Sequence, residues 1–173
     1  MSDSYATLLG LSRLLIRIAR LFNILVGVLL IGMFVASFLF EPVFREFFTK
    51  QPARIDPGLL MPTLRLWALL ALPMIAAVHL LFSRLLAMID TVRAGDPFVP
   101  ENGARLKTIA WCLLSLQLFN LLFGLLAATM NAAGSNIDWE FDATGWIGVL
   151  LVFVLARVFE EGARIRADLE AMI

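Results

Sequence analysis

Four stretches of this chain lack Asp, Glu, Lys and Arg over lengths that constrain it more than any other feature: Leu21 to Phe40, Leu66 to Ser83, Thr108 to Met130 and, shorter, Thr144 to Ala156. As a helix the first would rise roughly 30 Å, about the thickness of the hydrocarbon layer of a bilayer. Backbone amides in lipid must be satisfied within the segment itself, so runs of this kind predict helices. The chain is 61% hydrophobic, against roughly 45–50% in soluble domains. The expected fold is an all-α polytopic membrane protein. It is a four-transmembrane-helix bundle forming one domain over 1–173, with spans near 21–40, 66–83, 108–130 and 144–159.

The fourth span depends on Arg157, which interrupts the run but can reach the interface and leave Val158 and Phe159 in lipid. Trp67 and Trp111 lie near the ends of the second and third spans, where indoles suit the headgroup boundary. The first run is too long for the apolar core of a signal peptide, and Phe38 to Pro42 offers no small-residue cleavage site, so it is expected to persist in the mature protein. Lys and Arg resist translocation. The segment before the first span, the one between the second and third, and the one after the fourth carry three, four and three of them, against four and none in the other two loops. Both termini are therefore expected in the cytoplasm of a bacterial cell, with the chain in the inner membrane and Asp138, Glu140 and Asp142 outside.

Arg13, Arg17 and Arg20 recur at helical spacing among Leu8, Leu11, Leu14, Leu15 and Ile18, which predicts an N-terminal interfacial helix. A membrane-surface anchor explains it more simply than a partner site. Pro42, Pro52, Pro57 and Pro62 make long regular elements unexpected between the first two spans, where Phe44, Phe47 and Phe48 would dip into headgroups. The loop from Asn131 to Ala143 reads as a short solvated connection. After Arg157, the pairs Arg157 with Glu161, Glu160 with Arg164 and Arg166 with Glu170 stand four apart and predict a C-terminal cytoplasmic helix extension. A short echo links Glu101 to Lys107 (ENGARLK) with Glu160 to Arg166 (EEGARIR), without a duplicated topology.

Polar groups at membrane depth need partners. Gln117, Asn120, Gly124, Ala127 and Asn131 form one stripe of the third span; Asn23, Gly27 and Ser37 form another on the first, and Thr144, Gly148 and Ala156 a third on the fourth. Helix packing explains all three better than a permeation path, since no carboxylate falls within a span. His79 shares a stripe with Ala68, Leu72, Ala76 and Ser83, beyond Pro73, and should face the bundle. It could sense protons, but a hydrogen bond to a neighbouring span explains it more simply. Cys112, the only cysteine, reads as a small packing residue. No metal or cofactor is expected, and the short motifs that would place a nucleophile, a metal-bound water or a phosphate cradle are missing.

Between the second and third spans the cytoplasmic hairpin 84–107 carries the densest punctuation: Gly95, Asp96, Pro97, Phe98, Val99, Pro100, Glu101 and Asn102, then Gly103 and the basic Arg105 and Lys107. Gly and two prolines force a turn, and Pro100 with Glu101 suits the first turn of the following helix. This G-D-P-F-x-x-E-N pattern ahead of a membrane helix resembles the bacterial domain-of-unknown-function family 2975. The closing segment Phe159 to Asp168, with Gly162 and Arg166, is similar to that family's F-x-x-G-x-x-L-R-x-D ending. The resemblance runs from about the first span onward, although Ala171, Met172 and Ile173 depart from the family's usual terminus. It implies four membrane helices and carries over Gly95, Asp96, Pro97, Phe98, Glu101, Asn102, Gly162 and Arg166. Members often accompany small helix-turn-helix regulators, which implies such a regulator as a partner.

The expected function is a non-enzymatic partner-binding, sensor or regulatory membrane protein, acting through the hairpin and the C-terminal helix. With zero formal charge, no direct nucleic-acid binding is expected. Besides the lipid bilayer itself, the rival reading implies a homo-oligomer, because four short spans enclose little space: a small transporter or channel using His79, Gln117 and Asn120. A lipid-modifying or other membrane enzyme would rest only on Glu101, Glu160 and Glu161 near the headgroups.

Overall fold

Leu, Ile, Ala and Phe dominate the uncharged runs and no proline occurs before Pro42, so nothing in the first forty residues stops a helix once it has formed. The computed structural model describes residues 2–49, 57–132 and 137–172. Over these it has α1 (Ser2–Leu39), α2 (Glu41–Thr49), α3 (Pro57–Arg93), α4 (Pro100–Ala132) and α5 (Ala143–Glu170). Four of the helices, all but α2, are long and apolar enough to cross a bilayer. Lys50, Pro52, Arg54, Gly134 and Ile173, together with the side chain of Phe48, lie outside the described residues.

The expected interfacial helix and the first span are one uninterrupted helix of 38 residues, because Gly10 alone is too weak a breaker to separate them. Between the first two spans there is nonetheless a helix, the short α2. Proline is tolerated in a first turn, where the amide it lacks would have no helical partner, and Pro42 occupies that place. Pro62 and Pro73 both lie inside α3, which runs on through them.

Packing follows chain order. α1 lies on α3, α3 on α4 and α4 on α5, while α2 touches α1 and α3. Among the described residues α1 reaches neither α4 nor α5, so the four long helices form an open row of alternating direction. The ion pairs Arg13–Asp90 and Asp96–Arg166 then fall at one end of the row, with the α3–α4 turn. Arg65, bonded to Ser37 and Glu41, marks the opposite end.

The distribution of side-chain size is the reverse of a soluble core. Ala68, Ala110, Ala127, Ala156 and Ala163 are buried, whereas Leu25, Leu29, Leu150 and Leu151 are exposed. Lipid tails are as apolar as leucine, so association in a bilayer comes from close backbone approach at small residues and from hydrogen bonds, not from burying large side chains. The seam of α1 and α3 shows both. Asn23 Nδ2 donates to the carbonyl of Ile75 at 3.1 Å, two residues beyond Pro73. One turn along, Gly27 lets Ile75 come so close that a Cβ there would stand 3.0 Å from its Cγ2. At the far end Arg65 Nη2 donates to the Ser37 carbonyl at 2.7 Å and to Glu41 at 2.9 Å, with its guanidinium 3.9 Å above the Phe38 ring.

Three local expectations are corrected. Trp67 turns inward against Phe123, ring centroids 4.0 Å apart, and its buried indole N–H, without an acceptor among the described residues, does not reach out toward a headgroup. After Arg157 the ion pairs form largely at three-residue spacing, Arg157 with Glu160 and Arg164 with Glu161. Of the pairs four apart, Arg166 with Glu170 is the one that forms. The connection before α5 is not a simple solvated loop, as its contacts below show.

Candidate functional site

At the end of α3 the backbone closes in the way a glycine permits. Gly95 adopts φ +84°, its N–H donates to Val92 and the Asp96 N–H donates to Thr91. These two reversed bonds are a Schellman closure, and they satisfy carbonyls that the helix end would leave bare. Four residues later α4 starts at Pro100, a position where the missing N–H costs nothing.

Asn102, in the first turn of α4, is fully buried. Both hydrogens of its amide are used, one on Thr91 Oγ1 at 2.7 Å and one on the Pro97 carbonyl at 2.9 Å, and its Oδ1 accepts from Arg105 at 2.8 Å. The side chain therefore ties the end of α3, the turn and the start of α4 together. A buried amide with every donor satisfied favours one geometry strongly, because any other leaves polar atoms unpaired.

The same turn is fastened to α5. Asp96 accepts from Arg166, which also binds Glu170 at 2.9 Å. Phe98 lies against the Phe159 ring, centroids 5.3 Å apart, and over Gly162, where a Cβ would meet it at 3.1 Å. Gly103 admits Glu160 on the other side: a Cβ at this glycine would meet the Glu160 Cγ at 2.7 Å. The two echoing segments, 101–107 and 160–166, thus lie side by side, Gly103 making room for Glu160 of α5 and Gly162 for Phe98 of the turn. Of the sequence-derived set, Gly95, Asp96, Pro97, Phe98, Asn102, Gly162 and Arg166 come together here. Glu101 faces outward beside Arg84, Arg105 and Thr108, around a shallow cleft of about 270 Å³.

A second cluster forms halfway along α4. Beyond α4 the described chain resumes at Ile137, and residues 137–142, neither helix nor strand, lie back along that helix. Asn131 exchanges two hydrogen bonds with the backbone of Ile137, at 2.8 and 2.9 Å. Farther back Trp139 Nε1 donates to Asn120 Oδ1 at 2.8 Å, and its indole fills the space beside Gly124. Finally Gln117 donates to Asp142 at 3.1 Å, and Asp142 caps α5 by accepting from the Gly145 N–H at 3.0 Å. The fourth long helix consequently begins near the midpoint of α4. Asp142, the residue before α5, thereby stands level with Gln117.

His79 does not join this cluster. At the level of Gln117, α3 presents Met74, and these two with Leu116, Asn120 and Phe123 line a cleft of about 410 Å³. His79 is half-buried, and among the described residues its imidazole has no hydrogen-bond partner; its carbonyl accepts from Ser83 Oγ at 2.8 Å. The hydrogen bond to a neighbouring span expected of it is not made. Sequence reading missed Trp139 and Asp142 as partners of the polar stripe, and the stripe itself was the signal, since polar groups at that depth require acceptors and donors from somewhere.

A family described as "Protein of unknown function (DUF2975)" matches residues 47–173, which takes in α3, α4, α5 and both clusters and begins after α1. No curated protein and no solved structure matches the chain.

Proposed function

The chain belongs to the DUF2975 family, and from that premise we propose that it is a non-enzymatic partner-binding membrane protein of the bacterial inner membrane. In this reading both termini and the α3–α4 hairpin are cytoplasmic, and the hairpin with the last turns of α5 forms a preorganised docking platform. The partner is a cytoplasmic protein, and the family resemblance favours a small helix-turn-helix regulator. The observation that supports it is the fastening of the hairpin to α5 by Asp96–Arg166 and by Phe98 on Gly162 and Phe159. Two segments 70 residues apart are held in one surface that lipid packing does not require. A rigid surface loses less entropy on binding than a mobile one.

Affinity capture tests this with surface residues that the fold does not use. The variant Glu101→Arg with Asp168→Arg should retain the fold and lose the specific partner. An identical set of captured proteins for the intact chain and this variant would remove the hairpin as a docking site. Labelling of a cysteine at position 98 by an impermeant reagent from the periplasmic side would overturn the orientation.

A second reading, a small oligomeric transporter or channel, is favoured by the Gln117–Asp142 and Asn120–Trp139 pairs beside the cleft at Met74. Irregular backbone ending in a helix start at mid-depth is also how transporter sites are built. Flux through proteoliposomes that falls in Gln117→Leu and Asp142→Asn, but not in His79→Leu, would support it. Equal flux in all three variants and the intact chain would remove it.

A further inference from the structure

A cleft of about 500 Å³ opens between α1 and α3 at the hairpin end of the row. Its α1 wall carries Arg13, Arg17 and Arg20 and then Leu21 and Ile24, and its α3 wall includes Leu86 and the acidic Asp90. Asp90 is already neutralised by Arg13 at 3.0 Å. Arg17 and Arg20 have no carboxylate partner among the described residues, so the cleft keeps the charge of two guanidinium groups. Arg13, also on this wall, has a buried Nε with no acceptor among the described residues.

The position of the cleft narrows what can fill it. Arg20 is the last charged residue before the uncharged run from Leu21, and on α3 Ser83 closes the uncharged run that Arg84 ends. Both walls therefore change from charged to apolar at the same level, the cleft straddling that boundary. A free anion would be matched by the arginines but not by Leu21 and Ile24. A neutral lipid tail would be matched by the apolar half alone. A ligand with a negatively charged phosphate joined to an acyl chain satisfies both halves, with the phosphate at Arg17 and Arg20 and the chain running along Leu21 and Ile24. We propose that the cleft between α1 and α3 is a binding site for an anionic phospholipid. Basic pockets between membrane helices suit such headgroups because guanidinium groups bind phosphate oxygens bidentately and the adjoining lipid surface is of low dielectric.

The test uses the full chain purified in a neutral detergent and followed by thermal unfolding and native mass spectrometry. Dioleoylphosphatidylglycerol should raise the melting temperature saturably and remain bound in the gas phase. Dioleoylphosphatidylcholine, and inorganic phosphate alone, should do neither. Each arginine near an anionic lipid contributes about fivefold in affinity, so Arg17→Gln with Arg20→Gln should weaken binding roughly thirtyfold. Neither substitution removes a carboxylate contact within the protein, and lipid-free melting should match the intact chain. Ile24→Trp, which fills the apolar half and leaves every arginine in place, should also lose the lipid. The proposal is overturned by an equal response to phosphatidylcholine or to inorganic phosphate. Undiminished binding in the double arginine variant would equally overturn it. Undiminished binding in Ile24→Trp would show attraction to the charged surface without a site, and would overturn it as well.

Discussion

Asp96, in the turn that joins α3 to α4, forms an ion pair with Arg166, near the far end of α5, and so closes one end of the helix row across 70 residues of sequence. Both side chains are well exposed, and Arg166 shares its guanidinium with Glu170. Exposed pairs contribute little to stability, because water solvates the separated charges nearly as well. The pair's role is positional. Asp96→Ala and Arg166→Ala should each change the unfolding midpoint only slightly. Both should increase proteolysis and hydrogen exchange at residues 94–99, and the reversed pair Asp96→Arg with Arg166→Asp should restore protection. Unchanged exchange in the single variants would show that the turn is held without the pair.

Asn102 should behave oppositely. It is fully buried, and Asn102→Ala leaves Thr91, the Pro97 carbonyl and Arg105 without their partner. A stranded buried polar group costs about 1–3 kcal/mol. Asn102→Ala should therefore lower stability in detergent by about 2–3 kcal/mol, far more than loss of the Asp96–Arg166 pair. Asn102→Asp should not rescue it, since a carboxylate offers Arg105 an acceptor but has no hydrogen for Thr91 or Pro97. Denaturant titration of both variants against the intact chain measures this order.

How much of this was legible in the sequence follows from the range of each cause. The four long helices rest on a one-dimensional property, the absence of charge over the length of a bilayer, and they contain the runs that Leu21, Leu66 and Thr108 open, although each of these three helices begins earlier, at Ser2, Pro57 and Pro100. Gly95 and Pro100 are equally local, and the turn between them is as expected. The contacts of Phe98 with Gly162 and of Asp96 with Arg166 depend on which helices become neighbours. Only the family likeness of the two motifs hinted that they belong together. The start of α5 was least legible: nothing local in the sequence pairs Asp142 with Gln117, 25 residues before it. His79 illustrates the same limit, because helical periodicity placed it on a face but could not supply a partner.

At the opposite end, Glu41 is held between two arginines. Hydrogen bonds first from Arg45 and then from Arg65 push its carboxyl below the usual value of 4.5. A group whose pKa is lowered by folding adds stability above its unfolded pKa, and loses that contribution as the pH falls through the lower folded value. The stability difference between the intact chain and Glu41→Gln should thus be constant from neutral pH down to about 5, then shrink through the window below 4.5 and vanish in stronger acid. High salt should reduce it at neutral pH, because the site is exposed. A difference that grows on acidification would contradict the assignment of Arg45 and Arg65 as the cause.

The segment 137–142 gives the last prediction, since it can lie along α4 only if α4 leaves room for Trp139. That room is Gly124, which is buried and has the indole directly against the place where a Cβ would be. The Trp139 N–H is committed to Asn120 at 2.8 Å, so the ring cannot slide away without breaking that bond. Gly124→Ala should therefore destabilise by about 1–3 kcal/mol, the cost of forcing an extra methyl into a packed site. Trp139→Ala should remove most of that penalty, so the two substitutions together should cost much less than their sum. Additive losses would mean that the indole is not what Gly124 accommodates. In Gly124→Ala, a cysteine placed at 142 should also become more reactive toward a water-soluble thiol reagent, as the segment that carries Asp142 to Gln117 lifts away from the helix.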